Sequence, residues 1–268
     1  MSSQTSVMNP PQSSGGNPRK WLIVVPARLN SERLPKKPLA NLAGKPLIVR
    51  VYENLAPLKL QGAEIIVAVD HQETAHICAT YNIPWAMTKE SHISGTDRCA
   101  EVALTHDHTC DHKPFILNVQ GDEPFVNLDD IRQLMLAMET SHHPMGTLGF
   151  TCHDWESFGD PNVVKIVVSP ENTAIYFSRA SVPYDREASR TRTNKVTFLQ
   201  HLGVYAFRRE SLQDFCTLPK SPLEQIEKLE QLRALSAGWK IAISTAKFSS
   251  LGIDTPEDLA AAQRKFHE

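Results

Sequence analysis

Residues 21–25 read WLIVV and are followed by Pro26. A short, continuous apolar run is typical of a strand buried on both faces, as strands are in parallel sheets, and Pro26 is predicted to end it. Similar runs return at 65–69 (IIVAV) and 115–119 (FILNV), with helix-length stretches at about 45–57 and 95–106 between the runs. Strands and helices that alternate at this spacing predict a doubly wound, mostly parallel α/β sheet.

The second half of the chain has a different rhythm. Beyond about residue 150 the apolar runs have less helix between them, so this part is predicted to be more α+β than α/β. Ser221, Pro222 and Gly238 predict a helix with a marked cap and terminator. The further elements predicted here are strands at 163–168, 174–177, 203–207 and about 239–246, and a helix that opens at 254–257.

Charged residues fall on the apolar face of the helix predicted over 222–238. At about 100° per residue, Leu223, Ile226 and Leu229 share one face. Glu230 and Arg233 lie on the same face. Charges on a buried face must be paired or used. An internal ion pair and a functional role are therefore both open.

Composition and charge exclude several classes of protein and favour one class of ligand. The 268 residues are 41% hydrophobic and 22% charged, which excludes a disordered, collagen-like or coiled-coil protein and fits one domain or two small ones. Residues 19–45 carry a formal charge of +6 and the remainder carries −8. One basic segment on an acidic protein favours a small polyanion such as a nucleoside triphosphate over nucleic acid.

The cysteines and the apolar runs indicate a cellular location. The five cysteines are widely spaced and contain no C-x-x-C pair, which suits a reducing compartment. No apolar run approaches the roughly 20 residues that span a bilayer, and we expect a cytoplasmic protein without membrane insertion. Residues 1–18 are uncharged and rich in Ser, so they are predicted to form a disordered tail.

The loop after the first predicted strand is the first candidate for a ligand site, because ligands of open α/β sheets bind at the carboxyl ends of the strands. Residues 26–38 hold four cations and three prolines. There is no G-x-G-x-x-G motif, and Pro46 follows Gly44-Lys45 where a P-loop needs Ser or Thr. The loop is either a phosphate site built from side chains or a solvated basic loop.

Two acidic residues follow other apolar runs. Asp122 follows the third predicted strand, and Asp254 follows another apolar stretch near the end of the chain. Mg²⁺ usually takes one or two protein carboxylates and completes its shell with water and phosphate oxygens. These two carboxylates are therefore predicted to share a magnesium ion. The alternative for Asp254 is the N-cap of the last helix.

Two further motifs are less specific. Ser94-Gly95-Thr96-Asp97-Arg98 opens a predicted helix, whose first N–H groups could bind an anion, although a capping Ser explains the motif equally well. A second cluster contains His106, His108, Cys110 and His112. Its alternate spacing does not match a zinc site, and the other cysteines are interpreted as small core residues.

Seven motifs, in order, resemble one family. They are VPARxxSxRLPxKPL at 25–39, SGTDR at 94–98, NVQGDEP at 118–124, YFSR at 176–179, HLGVY at 201–205, SPLEQIEKLEQLR at 221–233 and GIDTPEDL at 252–259. Together they resemble the CMP-Kdo synthetases, or 3-deoxy-manno-octulosonate (Kdo) cytidylyltransferases, over almost everything from residue 21 onward. The first and third motifs alone suggest the broader sugar nucleotidyltransferases.

The resemblance implies a reaction and an architecture. Kdo attacks the α-phosphorus of CTP, with Mg²⁺ as cofactor, and gives CMP-Kdo for lipopolysaccharide assembly and pyrophosphate. The implied fold is a Rossmann-like sheet of the nucleotide-diphospho-sugar transferase type with an inserted α+β region for sugar binding and homodimer formation. The implied parts are a tail at 1–19, a nucleotide-binding part at 20–150, a sugar-binding and dimerisation part at 151–238, and a return to the first part at 239–268.

The resemblance also assigns roles to residues. Arg28, Arg33 and Lys37 match the phosphate-binding loop, and with Asp122 they are expected to be catalytic. Asp122 and Asp254 match the magnesium ligands. The nucleotide-binding residues implied are Ala27, Arg28, Arg33, Lys37, Ser94, Gly95, Arg98 and Asp122. The sugar-binding residues implied are Gln120, Arg179, which would pair with the Kdo carboxylate, His201, Tyr205 and Glu230.

Two departures from the family pattern lie in the phosphate-binding loop. Lys36 occupies the position of the usual glycine, and Asn30 and Glu32 replace smaller residues. A lost glycine can alter a tight loop; we expect an adjusted loop that still works, because Arg33 and Lys37 remain. The alternatives are the same reaction on 8-amino-Kdo or a sialic acid, and a catalytically silent nucleotide-binding module.

Overall fold

The computed structural model describes residues 21–106, 115–186 and 196–266, so the predicted tail at 1–19 lies outside it. The chain forms two compact units: the first runs to Leu128 and resumes at 250–268, and the second spans 129–249. These limits differ from the predicted ones. Residues 129–150 and 239–249 belong to the second unit because strand Met145–Cys152 pairs there with Phe198–Arg208 and Ile241–Ala246. The roles given to the predicted parts stay predictions.

The first unit alternates strands and helices as predicted. Its main strands are β1 (Trp21–Ala27), β4 (Ala63–Val69), β5 (Trp85–Met87) and β6 (Phe115–Asn118), and a small hairpin joins β2 (Asn41–Leu42) to β3 (Lys45–Pro46). Its helices are α1 (Leu47–Leu55), α2 (Gln72–Thr80), α3 (Gly95–Thr105) and, after the second unit, α9 (Pro256–Lys265), with 3-10 turns at Lys37–Leu39 and Ala56–Gln61.

The four main strands of the first unit are parallel and lie in the order β5-β4-β1-β6. This is the beginning of the doubly wound strand order, in which the chain goes outward on one side of β1 and then returns to its other side. The point of reversal lies between β1 and β6, and ligands bind at the carboxyl ends of the strands there. The topology therefore predicts where the site of this unit is.

Pro26 does not end the first strand. β1 continues to Ala27, and Pro26 lies in register with Ala68 of β4. On the other side of β1, the register with β6 extends only as far as Val24 and Asn118. A proline is tolerated where the ladder does not require its missing N–H.

The second unit is mainly antiparallel. β10 (Phe198–Arg208) pairs antiparallel with β7 (Met145–Cys152) and β8 (Lys165–Val168), β8 pairs antiparallel with β9 (Ala174–Ser178), and β11 (Ile241–Ala246) runs parallel to β7. Its helices are α4 (Leu128–Thr140), α5 (Trp155–Gly159), α6 (Arg209–Thr217), α7 (Pro222–Glu227) and α8 (Gln231–Ser236). This matches the α+β character predicted for the second half.

The single helix predicted over 222–238 is wrong. Ser221 caps it as predicted, but the helix stops after Glu227, Lys228 takes a left-handed conformation (φ 55°), and a second helix starts at Gln231. The predicted apolar face is wrong for Leu223 and Ile226, which are 42% and 78% exposed, and right for Leu229, which is buried. The break rotates the second helix, so the buried residues are Leu229, Gln231, Leu232 and Ala234, together with the charged Glu224 and Arg233.

The buried charge on these helices is paired. Arg233 Nη2 donates to Glu224 Oε1 at 2.6 Å and Nε donates to Glu224 Oε2 at 2.9 Å. The ion pair of Arg233 therefore joins α8 to α7, which is the structural alternative that the sequence left open. No helix in the described part of the chain has the length and apolar character needed to cross a membrane.

Candidate functional site

A cleft of about 450 Å³ opens in the first unit at the carboxyl ends of β1 and β6. This is the position that the strand order predicts. The cleft brings together ten of the residues singled out from the sequence: Ala27, Arg28, Arg33, Lys37, Ser94, Gly95, Arg98, Gln120, Asp122 and Asp254.

Two glycines allow the loops of the cleft to approach one another. A Cβ at Gly121 would lie 2.6 Å from the carbonyl oxygen of Pro26, so only glycine lets the loop after β6 reach the end of β1. A Cβ at Gly95 would lie 3.0 Å from the Pro26 ring and 3.2 Å from Gln120 Oε1. The start of α3 and the ends of β1 and β6 therefore meet at close range.

Lys37 and Arg33 hold the two acidic residues of the cleft. The Lys37 ammonium contacts Asp122 Oδ2 and lies 2.9 Å from Asp254 Oδ1. Arg33 Nη2 lies 2.9 Å from the other oxygen of Asp254. In addition, the backbone N–H of Ile253 donates to the Asp122 carbonyl at 2.9 Å, so the loop before α9 is held against the loop after β6.

The charges in this cluster support one another. Burial lowers the pKa of Lys37, but the neighbouring Asp122 and Asp254 carboxylates outweigh it and raise the pKa above 10.5. For Asp254, burial raises the pKa, and the contacts with Lys37 and Arg33 outweigh that effect and lower it below 3.8. Lys37 is therefore a cation and Asp254 an anion at neutral pH.

The two carboxylates fit a magnesium ion. Both face the nitrogen of Lys37, which occupies the position of a shared cation. Two carboxylates beside open space for phosphate oxygens form a donor set that Mg²⁺ uses. Asp254 is not the N-cap of the last helix: Thr255 Oγ1 accepts from the Asp258 N–H at 3.1 Å and forms the capping box.

The loop that lost its glycine keeps a glycine-like backbone. Lys36 has φ 53° and ψ 37°, the left-handed conformation that glycine adopts most easily. Its ammonium pairs with Glu73 of α2 at 2.6 Å. Lys37 still reaches its two acidic partners, and the expectation that the loop works stays a prediction.

Ser94 and Arg98, at the start of α3, form hydrogen bonds with other residues of the protein. Ser94 forms a capping box with Asp97, and Gly95 lines the cleft. The Arg98 guanidinium, predicted to meet the nucleotide, donates to Asp70 Oδ2 and Thr88 Oγ1 at 2.9 Å and to the Lys89 carbonyl at 3.0 Å. Its assignment as a nucleotide-binding residue stays a prediction.

Two acidic residues near the cleft were missed in the sequence. Asp70 directly follows β4, so the strand-end rule used for Asp122 could have found it. Glu123 follows Asp122, and its carboxylate contacts the Ser250 hydroxyl and packs close to Gly252. Burial raises the pKa of Glu123 to about 7; the Ser250 contact opposes this shift, and nearby Asp122 and Asp254 add to it.

The second unit holds three predicted sugar-binding residues in one cluster. The His201 ring lies between the rings of Phe177 and Tyr205, with centroids 5.1 and 5.4 Å away. Burial lowers the pKa of His201 to about 3, so its imidazole is neutral. Burial and the charge of nearby Glu230 raise the pKa of Tyr205 well above 10.

A bulge in β10 sets the spacing of these residues. The register of β10 on β7 shifts between Leu202 and Tyr205, and the hydroxyl of Thr147 fills the irregularity. It donates to the Val204 carbonyl at 2.6 Å and lies 3.0 Å from His201 Nε2. The Tyr205 hydroxyl donates to Oε1 of Gln231 at 3.0 Å. Gln231 was not among the residues predicted from the sequence.

Arg179 lies directly after β9 and is held by backbone groups. Its Nε donates to the Glu227 carbonyl at 2.7 Å and its Nη1 donates to the Pro161 carbonyl at 2.8 Å. The Glu227 carboxylate in turn accepts from the Arg179 N–H at 2.9 Å and from the Ser178 hydroxyl at 2.7 Å. Gln120, the fifth predicted sugar-binding residue, lines the cleft of the first unit.

The other candidate clusters give no metal site among the described residues. Within residues 21–106, 115–186 and 196–266, no group of three or more His, Cys, Asp or Glu side chains is arranged to hold an ion. His106 of the histidine cluster lies 2.7 Å from Glu64, and its companions His108, Cys110 and His112 lie outside the described residues. Cys78 and Cys99 are buried, as the core interpretation expects, whereas Cys152 and Cys216 are only half-buried.

Comparison with known proteins gives one answer. The family model described as Cytidylyltransferase matches residues 22–241. A 3-deoxy-manno-octulosonate cytidylyltransferase from Pseudoalteromonas translucida is 41% identical over 246 residues, which are 90% of this chain and 95% of that protein. One from Francisella tularensis subsp. novicida is 43% identical over 248 residues, 91% of this chain and 98% of that protein.

A solved structure extends the similarity to three dimensions. It is CMP:2-keto-3-deoxy-manno-octonic acid synthetase complexed with CTP, with 36% identity, a TM-score of 0.83, and coverage of 92% of this chain and 98% of that one. The relatives and the solved structure cover the fold and nearly the whole length of the chain. The chain therefore belongs to the cytidylyltransferases and, within them, to the 3-deoxy-manno-octulosonate cytidylyltransferase (CMP-Kdo synthetase) family.

Proposed function

We propose that this protein transfers CMP from CTP to the anomeric hydroxyl of Kdo and releases pyrophosphate. The observation that carries the proposal is the convergence of Arg33, Lys37, Asp122 and Asp254 in the cleft at the ends of β1 and β6. Cations for a triphosphate and carboxylates for its metal ion meet there, in a chain of the cytidylyltransferase family.

The chemistry depends on position and charge. A bond forms between the anomeric oxygen of the sugar and the α-phosphorus, and the bond between the α-phosphorus and its bridging oxygen breaks. The electron pair leaves with pyrophosphate, and the proton of the sugar hydroxyl passes to solvent. Transfer at phosphorus needs little covalent help, so Arg28, Arg33 and Lys37 act by holding the phosphates and by stabilising charge on the leaving pyrophosphate.

Asp122 and Asp254 are the residues that would hold Mg²⁺. A bound magnesium ion supplies charge neutralisation on the triphosphate oxygens. Lys37 neutralises both carboxylates in this structure. Its side chain is long and flexible enough for the ammonium group to turn toward a phosphate when CTP is present. The two carboxylates can therefore pair with the Lys37 ammonium or bind Mg²⁺, and in both cases their charge is neutralised.

For the sugar, the proposal keeps the residues that the family resemblance implies. Arg179 supplies a guanidinium for the Kdo carboxylate, the type of pair that gives directional hydrogen bonds. His201 and Tyr205 are uncharged and can hydrogen-bond sugar hydroxyls, with Glu230 beside them. Gln120 would contribute an amide from the cleft.

The assembly and location are also part of the proposal. We propose a homodimer formed through the second unit, supported by the exposed apolar residues Val168 and Ile175 on the hairpin β8–β9, which are 38% and 58% accessible. Light scattering should give the mass of two chains, and Ile175→Asp should reduce the mass to that of one chain.

Free thiols at Cys78 and Cys152 support a reducing, cytoplasmic location.

The test is pyrophosphate release from CTP and Mg²⁺ with Kdo, 8-amino-Kdo or sialic acid offered separately. Asp122→Asn should reduce release with the preferred sugar by at least 100-fold, because it removes a charged magnesium ligand. Asp214→Asn, on the exposed surface of α6, is the matched control and should keep full activity.

Each outcome decides between the candidate functions. Release with Kdo that is lost in Asp122→Asn supports the proposal. Pyrophosphate release only with another sugar would mean that the enzyme uses that sugar in place of Kdo by the same mechanism. CTP binding without release with any of the three sugars would contradict the enzymatic function and favour the silent nucleotide-binding module.

A further inference from the structure

A buried ion pair lies beneath the cleft, beside the residues of the proposed reaction. The side chains of Arg98 and Asp70 are 2% and 3% exposed, and Arg98 Nη2 donates to Asp70 Oδ2 at 2.9 Å. The other terminal nitrogen of Arg98 donates to the Thr88 hydroxyl and to the Lys89 carbonyl. One guanidinium from the first turn of α3 thus binds the residues that directly follow β4 and β5.

The second oxygen of Asp70 extends this network to the phosphate-binding loop. Asp70 Oδ1 accepts from the backbone N–H of Leu29 at 2.9 Å. Leu29 directly follows Arg28, and its side chain is buried. Asp70 therefore connects the ends of three strands, β1, β4 and β5, to the helix whose opening residues line the cleft.

We infer that Asp70 is a positioning residue of the nucleotide site. It fixes Leu29, and through Leu29 the loop that carries Arg28 and Arg33, at a set distance from the start of α3. Arg98 acts on the nucleotide through Asp70. This inference rests on the proposed function, because the loop it positions is the one proposed to hold the triphosphate of CTP.

Stability alone does not explain this arrangement. A buried ion pair contributes little net stability compared with apolar side chains of similar volume, because both charges must lose their water. The pair fixes the orientation of the Asp70 carboxylate, because one oxygen accepts from the Arg98 guanidinium and the other accepts from the Leu29 backbone N–H. A misplacement of about 1 Å at a site of phosphoryl transfer costs roughly 100-fold in rate.

Four variants separate positioning from stability. Asp70→Ala removes the acceptor for Leu29, Asp70→Asn keeps an acceptor oxygen, and Asp70→Ala with Arg98→Met removes both buried charges. Glu224→Gln is the matched control, because it weakens the buried pair with Arg233 in the second unit. The measurements are the melting temperature, the KM for CTP and kcat at saturating Kdo, and hydrogen exchange at the Leu29 amide.

The expected results differ between the variants. Asp70→Ala should raise the KM for CTP by 10- to 100-fold, lower the melting temperature and speed exchange at Leu29, and Asp70→Asn should recover most of the KM. The double variant should regain melting temperature but keep the high KM, since it lacks the unpaired charge but also the acceptor. Glu224→Gln should lower the melting temperature and leave the KM for CTP unchanged.

Two results would overturn the inference. One is a KM for CTP in Asp70→Ala or the double variant within twofold of wild type. The other is Leu29 exchange that is the same in wild type and in both of these variants. If the wild-type protein neither binds nor uses CTP, the proposed function fails, and Leu29 exchange alone then decides whether Asp70 positions the loop.

Discussion

His201 is an imidazole kept neutral inside an aromatic cluster, and this makes stability depend on pH. Its pKa is about 3 in the folded chain and 6.5 in the unfolded chain. Below pH 6.5 the unfolded chain binds a proton that the folded chain does not, so acid favours unfolding. The contribution of His201 is intact above pH 6.5 and is lost as the pH falls toward 3.

We expect wild type to lose about 2 kcal/mol more unfolding free energy than His201→Gln between pH 7 and pH 5. Urea unfolding of both proteins at the two pH values measures this difference. His142→Gln, at an exposed histidine, is the control and should lose as much as wild type. An equal pH dependence in wild type and His201→Gln would show that His201 is not the group responsible.

Gly121 gives a second prediction at the level of single residues. A methyl group there meets the Pro26 carbonyl, which belongs to the backbone and cannot turn aside. We expect Gly121→Ala to lower the unfolding free energy by about 1–3 kcal/mol and to reduce CTP use. Gly159→Ala has open space around the new methyl and should change stability by less than about 0.5 kcal/mol, as denaturant unfolding can show.

Single residues also show what the sequence could and could not predict about the site. Asp122 and Asp254 were predicted because each follows an apolar run, and strand ends at a point of reversal must converge. Lys37 was predicted because it lies in the basic loop after the first run and matches the family's phosphate-binding loop. The role of Asp70 depends on the N–H of Leu29, 41 residues away, and that of Glu123 on Ser250, 127 residues away. No local pattern marks such partners.

At the level of elements, the break between α7 and α8 sets the positions of Glu230 and Gln231. The interruption at Lys228 turns the helix axis, and the Glu227 carbonyl that a continuing helix would use accepts from Arg179 instead. Seven strands and the helices α1, α3 and α9 followed from apolar runs, Pro and Gly. The sequence did not predict the strands β2, β3, β5 and β7 or the helices α2, α4, α5 and α6. Nor did it predict this break, because Lys228 is a good helix former whose conformation depends on contacts from β9.

The break leads to a prediction about Lys228. A lysine in the left-handed region carries a steric cost of about 1 kcal/mol that glycine does not. Lys228→Gly is therefore expected to raise the unfolding free energy by about 0.5–1 kcal/mol, measured by urea unfolding. Lys228→Ala keeps the steric cost and should bring no gain. A gain from Ala equal to that from Gly would mean that the left-handed backbone is not the cause.

At the level of the whole molecule, the first unit is made from two separate pieces of the chain. Residues 250–268 return to it after the second unit. They bring the buried Ile253, whose N–H binds the Asp122 carbonyl, and Ser250, whose hydroxyl contacts Glu123. This segment therefore supplies Ile253 to the core and Asp254 to the cleft.

Two deletions of similar length should have opposite effects. Removal of residues 250–268 is expected to lower the melting temperature by more than about 10 °C and to abolish CTP binding, because it removes Asp254 and a buried part of the first unit. Removal of residues 2–18, predicted from composition to be disordered, should leave both unchanged. Calorimetry and CTP titration measure the two effects. A loss of CTP binding after the N-terminal deletion would give that segment a role at the site.

The discontinuous first unit also sets an order of events during protein synthesis. Ribosomes add roughly 5–20 residues per second, so residues 129–249 take about 6 to 24 s to make. During that time Lys37 and Asp122 exist without Asp254, and the nascent chain has only half of the carboxylate pair. A magnesium–nucleotide complex that needs both carboxylates would therefore bind only after Asp254 has been made. The cleft becomes complete only after Asp254 has been added to the chain.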